Sequence, residues 1–253
     1  MRTTASLCAV MLLAAAAWAQ SPPAGDICRI NFVKPKPSMA EQFEAGRKKH
    51  NQFHESHHDT WAWNTYLIET GMNTGNYVTS TCGHEWKDFD DWDKKLGKAD
   101  GADYAAHVEP YVQHTTSTFY RYRTDMSLSS GSDAGPAALS AVTIFRLHRG
   151  MADDFVAASK KIRDALRGAN WPEKSVWLEL ANGGEGPVFV LILERKGWAD
   201  FAPRPKSVFQ IVEEAYGKEQ ADALWKERDA TIAQSFTEAA TYRPDLSYVP
   251  AKK

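Results

Sequence analysis

From Cys28 onward the chain alternates two hydrophobic patterns. Short stretches of period two, rich in aromatic and β-branched residues, predict strands; longer stretches with apolar positions three and four apart predict helices. Cys28 to Lys34 reads as a strand with Ile30, Phe32 and Lys34 on one face and Arg29, Asn31 and Val33 on the other. Pro35 and Pro37 end it. Ser38, with Glu41 three residues on, forms a capping box that predicts a helix running to about His57. Thr60 to Glu69 and Asn76 to Glu85 predict a hairpin across Gly71-Met72-Asn73-Thr74-Gly75. A second helical region follows from about Phe89, and Thr118 to Arg123 predicts a last strand. The same order then returns. Ala141 to Leu147 is a strand, Met151 to Arg167 a helix, and Ser175 to Leu180 with Pro187 to Glu194 a hairpin. Ser207 to Ala233 is helical with a break at Gly217, and Phe236 to Arg243 is a strand.

The recurrence extends to residue identities. Met39-Ala40-Glu41-Gln42-Phe43 is echoed 112 residues later by Met151-Ala152-Asp153-Asp154-Phe155. Lys48-Lys49 falls on Lys160-Lys161, and Trp86-Lys87-Asp88-Phe89 on Trp198-Ala199-Asp200-Phe201, at the same offset. Tyr122-Arg123-Thr124-Asp125-Met126-Ser127 matches Tyr242-Arg243-Pro244-Asp245-Leu246-Ser247 at an offset of 120. The last two motifs, present in both copies, read as fold signatures that cap a helix and tie down a strand end. The pattern predicts an α+β chain of two tandem ferredoxin-like βαββαβ units, residues 26–128 and 139–249, with a small, polar linker at 129–138. In such a unit the sheet order is 4-1-3-2, so the start of strand 1 lies beside the end of strand 3. That places Cys28 against Cys82 and predicts a disulfide between them.

At this point the chain resembles the dimeric α/β-barrel superfamily, which pairs two ferredoxin-like sheets as dimers or as fused tandem copies. Within it, the resemblance is to antibiotic-biosynthesis-monooxygenase-like and NIPSNAP-like proteins. It rests on topology and duplication across nearly the whole chain after the leader. It implies a pseudo-dimeric α/β barrel, and it leaves function open, because the superfamily holds cofactor-independent monooxygenases, decarboxylases, isomerases and haem enzymes.

Composition narrows the class further. The 253 residues are 43% hydrophobic, 25% charged and 11% aromatic, which excludes collagen-like, disordered and disulfide-scaffold chains. A net charge of -2 offers no basic field for nucleic acid. The mean hydropathy is -0.48, and one apolar run stands out. It spans Leu7 to Trp18 behind Arg2 and ends in Ala17-Trp18-Ala19, a small-x-small cleavage pattern. These features predict a secretory signal at 1–19, a periplasmic or extracellular location, and no integral membrane segment after cleavage. The expected product is a monomer or homodimer. Cys8 would leave with the leader, and an oxidising compartment suits the remaining pair.

Histidine distribution gives the main chemical lead. Seven of the eight histidines, all but His148, lie in the first copy. His50 and His54 are spaced i, i+4 and stack on one helical face, where two imidazoles can share a metal. At the 112-residue offset they fall on Ile162 and Leu166, so a packing stripe in one copy is an ionisable stripe in the other. If their region is helical, His107 and His114 share a face too. The expectation is a transition-metal site, or a haem with one axial histidine, from His50, His54, His107 and His114. The alternative is a hydrogen-bonded polar patch. A second expectation is a small-molecule site in the barrel interior, built from Trp61, Trp63, Asn64, Tyr77 and His84. Aromatics Tyr66, Phe119, Tyr120, Trp177 and Phe189 would line the same space, unless they simply form the core. The sequence names no catalytic residue. Its leading reading is an exported binder of a small organic ligand or metal. The competing readings are a cofactor-independent monooxygenase-like enzyme acting on an aromatic substrate, and a periplasmic interaction protein without a pocket.

Overall fold

The computed structural model describes residues 25–128 and 136–251. The expected leader and most of the expected linker lie outside these residues. Eight strands close into a barrel: β1 (Ile27–Pro35), β2 (Asn64–Ile68), β3 (Tyr77–His84), β4 (Val112–Tyr122), β5 (Leu139–Leu147), β6 (Ser175–Asn182), β7 (Val188–Arg195) and β8 (Ile232–Tyr242). Their order round the barrel is β1-β3-β2-β8-β5-β7-β6-β4, and every neighbouring pair is antiparallel. Helix α1 (Ala40–Ser56), and a continuous run of α2 (Trp86–Trp92), a π-helical turn (Asp93–Gly97) and α3 (Lys98–His107), pack outside the first four strands. Helices α4 (Ala152–Gly168), α5 (Val208–Tyr216) and α6 (Lys218–Ala230) pack outside the others. Among the described residues, no helix is long and apolar enough to cross a membrane.

The period-two pattern follows from this closure, since each strand has one face in the lumen and one under helices. Alternate residues fill the lumen: Cys28 and Ile30 from β1, Tyr120 and Tyr122 from β4, Val176 and Leu178 from β6, Val188 and Val190 from β7. Tyr66 and Tyr242 join them with ring centroids 5.4 Å apart. The opposite faces meet the helices. Phe155 and Phe189 pack with Trp177 under α4, and Val33, Phe43 and Tyr77 pack with Val108 under α1.

Cys28 and Cys82 are register partners on β1 and β3 and are joined by a disulfide. Closing a loop with a sequence separation of 54 is worth about 4 kcal/mol in a chain-entropy account.

The two Tyr-Arg-x-Asp-x-Ser motifs clasp the seams of the barrel. Arg123 donates from Nε and Nη2 to both oxygens of Asp125, each at 2.9 Å, and from Nη1 to Glu179 at 2.7 Å. Ser127 Oγ donates to the Arg123 carbonyl and accepts from the Trp177 amide on β6. Arg243 holds Asp245 at 2.9 and 3.0 Å and Glu44 on α1 at 2.6 and 2.8 Å. Ser247 Oγ donates to the Arg243 carbonyl and accepts from the Thr65 amide on β2. The Arg123 and Arg243 guanidiniums hold Asp125 and Asp245 well below the usual carboxylate range. In the Trp-x-Asp-Phe motifs, Asp88 and Asp200 accept from the backbone amides of Glu85 and Lys196, as helix-capping carboxylates do.

Several sequence expectations are corrected. Ser38 does not cap α1: it sits at φ 61° in the turn after Pro37, and the helix starts at Ala40 behind Met39, which makes no side-chain cap. β2 begins at Asn64: Trp61 lies in a bend held by Asp59, and Trp63 makes an isolated antiparallel bridge to Tyr248. The two tryptophans stand outside the lumen because their positions alternate with lumen-facing Asn64 and Tyr66, and Tyr77, Trp177 and Phe189 are likewise turned toward helices. β4 starts at Val112 and takes in His114, so His107 and His114 share no helical face.

Candidate metal centre

Helix α1 brings Arg47, His50 and His54 onto one face by their i, i+3, i+7 spacing. All three are buried, at 5%, 2% and 2% exposure. The face is held close to α3 by Gly46, where a Cβ would meet the His107 carbonyl oxygen at 2.0 Å. Facing it, α3 presents Asp100, Asp103 and Tyr104.

Each histidine is oriented by a carboxylate. His50 Nδ1 donates to Asp103 Oδ1 at 2.8 Å, and His54 Nδ1 donates to Asp59 Oδ2 at 3.0 Å. Asp59 is itself fixed by Trp63 Nε1 at 3.0 Å, Trp92 Nε1 at 3.2 Å and the Trp61 amide at 3.1 Å. Burial works to raise the Asp59 and Asp103 carboxyls. The hydrogen bonds from His54 and Trp63 on one, and from His50 and His107 on the other, outweigh it and hold both below their ordinary values.

With Nδ1 committed as a donor, each neutral imidazole keeps its lone pair on Nε2. Both Nε2 atoms face the same atom, Asp100 Oδ1, at 3.4 Å from His50 and 3.6 Å from His54. That oxygen is buried and has no hydrogen-bond partner. The ligand atoms of His50, His54 and Asp100 all lie within 4.8 Å of one another. An ion about 2.0–2.1 Å from each of two tetrahedral ligands separates them by about 3.3–3.4 Å, so the spacing suits a shared metal.

The trio opens on a cavity of about 560 Å³ between the α1–α3 pair and the outer face of β1, β3 and β4. Arg29, Asn31, Thr79 and Thr115 on the strands and Arg47, Trp63 and Tyr104 opposite line it. The residues 112 positions after Arg47, His50 and His54 are Ser159, Ile162 and Leu166. They border a smaller cavity of about 220 Å³ walled by Phe155, Trp171 and Trp225.

Among the four histidines expected to share a metal, His50 and His54 come together. His107 reaches them only through Asp103, with Nδ1 3.2 Å from Asp103 Oδ2. His114 stands exposed at the cavity rim on β4, 3.1 Å from Thr116 Oγ1. The five residues expected to form an interior ligand site are dispersed. Trp61 stacks on His84 at 3.7 Å and on Trp92 at 5.4 Å. Trp63 stacks on His54 and alone of the five lines the cavity. Asn64 Oδ1 accepts from Tyr242 at 3.4 Å, and Tyr77 donates to Glu44 at 2.6 Å, a bond that with burial raises its phenol above the ordinary range. Burial pushes the His84 imidazole down. Arg47, Asp59, Asp100 and Asp103 were missed. The available signal was the i, i+3 pair of aspartates on a helix that also carries His107.

A closed antiparallel eight-stranded barrel clad in helices is the dimeric α/β-barrel fold, and the chain has it. No protein-family model matches the chain, and a search of curated proteins finds no sequence match. Solved structures match the fold. A protein described as a candidate monooxygenase from Lactobacillus acidophilus NCFM superposes with a TM-score of 0.54 at 9% identity, over 90% of this chain and 97% of its own. An anthrone oxidase-like protein gives 0.54 at 11%, over 92% and 97%. A chlorite dismutase variant from Candidatus Nitrospira defluvii gives 0.52 at 9%, over 88% and 93%. At these identities the likeness defines the architecture and transfers no residue role.

Proposed function

We propose that this protein binds one divalent transition-metal ion, zinc or iron(II), through His50 Nε2, His54 Nε2 and Asp100 Oδ1. The observation that carries the reading is the convergence of two carboxylate-oriented imidazoles on one buried, unpartnered carboxylate oxygen. Two histidines and a carboxylate are the donor set of open zinc and non-haem iron sites, and the carboxylates behind them are the usual outer support. A haem suits the cavity less well. Two imidazoles compete for one point, and Arg29, Asn31, Arg47 and Thr79 replace the apolar walls a flat macrocycle needs. Such an ion would supply a Lewis acid beside the cavity. His50, His54 and Asp100 would hold it, with Asp103 and Asp59 orienting the two imidazoles through Nδ1. The chain is proposed to act from an exported state, after loss of residues 1–19, as tandem ferredoxin-like units at 26–128 and 139–249. The disulfide supports an oxidising compartment.

Cobalt(II) titration of chelator-treated protein tests the metal reading. One equivalent should bind and develop visible d–d bands. At a hundredfold excess over Kd the stabilisation is about 2.7 kcal/mol, or a Tm rise of about 5–11 °C. Asp100→Asn and His54→Gln should each abolish the bands while circular dichroism stays native. Saturation at one equivalent in both variants, or none in the wild type, would refute the assignment.

A further inference from the structure

We infer that the cavity beside His50, His54 and Asp100 takes a small organic carboxylate, held by the Nε–Nη2 edge of Arg47. This deepens the metal reading by naming what enters the cavity, and it rests on that reading only for the metal ligands that share the space.

Arg47 is 5% exposed, and its Nε and Nη2 have no hydrogen-bond partner. The same edge is occupied elsewhere in this chain. In Arg123 it takes both oxygens of Asp125, and in Arg243 both oxygens of Asp245, at 2.9–3.0 Å. Two parallel N–H donors in a plane match the two oxygens of a carboxylate. In Arg47 that fork is buried and unmet.

A guanidinium keeps its proton inside proteins, so burial leaves a charge that calls for an anion. Asp100 lies near enough to offset part of that charge electrostatically. Its Oδ1, however, is turned to the histidines and accepts no hydrogen bond from Arg47.

Space favours an organic body over a bare inorganic ion. The cavity of about 560 Å³ lies within the range of small-molecule sites. Trp63 and Tyr104 offer ring surface, and Asn31 brings a buried, unpartnered Oδ1 for a donor substituent. Arg47, His50, His54 and Asp100 line the same cavity, so a carboxylate on the fork shares that space with the metal ligands of the proposed site.

The test uses benzoate, its neutral isostere benzamide, and inorganic phosphate. Each is titrated into the purified protein, chelator-treated and cobalt-loaded, and followed by calorimetry and tryptophan fluorescence. Benzoate should saturate one site in both forms and benzamide should bind at least tenfold more weakly. Arg47→Met, which fills the space without charge, and Arg47→Lys, which keeps charge without the fork, should each weaken benzoate at least tenfold. Circular dichroism and retained cobalt binding show that each variant is folded. Equal benzoate binding by Arg47→Met, benzamide as tight as benzoate, or no saturable benzoate binding would overturn the inference. Phosphate binding tighter than benzoate would overturn it in favour of an inorganic-anion site. Benzoate binding without cobalt binding would sink the metal reading alone, and cobalt binding without benzoate binding would sink this one alone.

Discussion

The spacing of the proposed metal ligands depends on how closely α1 approaches α3, and Gly46 lies where the two helices meet. A Cβ at Gly46 would stand 2.0 Å from the His107 carbonyl oxygen and 3.0 Å from its carbon, both backbone atoms that cannot swing aside. The helices must then part by more than 1 Å to reach ordinary contact. Alanine gains about 1 kcal/mol of helix propensity over glycine. Against that stand about 1–3 kcal/mol of overpacking and the weakening of the 2.8 Å His50–Asp103 hydrogen bond. The expected balance for Gly46→Ala is a loss of about 2 kcal/mol, or a Tm lower by about 4–8 °C. Cobalt(II) affinity should fall at least tenfold, because Asp100 and Asp103 move away with α3. Gly101 provides the comparison. It lies inside α3, and a Cβ there meets nothing within 4 Å. Gly101→Ala should therefore raise the Tm by about 2–4 °C through propensity alone. Thermal melts of the two variants, with cobalt titration of Gly46→Ala, measure both effects. A Gly46→Ala protein that melts at or above the wild-type temperature and binds cobalt undiminished would show that close helix approach does not set the ligand spacing.

Two further expectations bear on the groups behind the site. Asp59→Asn retains the shape but leaves donors from His54, Trp63 and Trp92 partly facing an NH2 group. It should cost about 3 kcal/mol in urea denaturation and about 10–100-fold in cobalt affinity, and an unchanged affinity would remove Asp59 from any orienting role. Burial lowers the His84 pKa, so below about pH 6.5 the unfolded chain takes up a proton that the folded chain refuses. Stability should fall as pH drops through 6.5 toward the folded pKa, by up to about 1.4 kcal/mol per pH unit from this group. His84→Phe should lose that component relative to wild type in denaturations of metal-free protein at pH 7.5, 6.0 and 5.0, and parallel profiles would refute it.

The architecture was legible because closure of the barrel imposes a strict alternation. Cys28 and Ile30 face the lumen while Arg29, Asn31 and Val33 face the helices, as the period-two reading of that strand required. Strand order followed from reading each half as a βαββαβ unit, and with it the pairing of Cys28 with Cys82. What alternation cannot supply is where a strand begins. A start of β4 at Val112 moved His114 off a helix, whereas Trp61 and Trp63 alternate with lumen-facing Tyr66 and lie on the helix side of β2 by parity alone. Boundaries of this kind are set by tertiary pairing, here of His114 with Lys34 on β1, and no local propensity encodes them.

The site was half legible for a related reason. Histidines at i, i+4 on a stripe that is apolar elsewhere in the chain are conspicuous, whereas aspartates on a helix are indistinguishable from a solvated face until a second helix packs on them. Asp100 became a candidate ligand only because Gly46 lets α3 sit against α1. Placing Arg47, His50, His54 and Asp100 there gives up the packing that Ile162 and Leu166 supply under the other helices. Each unmet buried polar group costs about 1–3 kcal/mol. The disulfide lies where it can offset that cost. Cys28 and Cys82 join β1 and β3, the strands whose outer faces present Asn31 and Thr79 to the cavity. Its stabilisation of about 4 kcal/mol is of the same order as two or three unmet groups. A floor cross-linked in this way offsets part of the cost of the unmet polar groups that line the cavity.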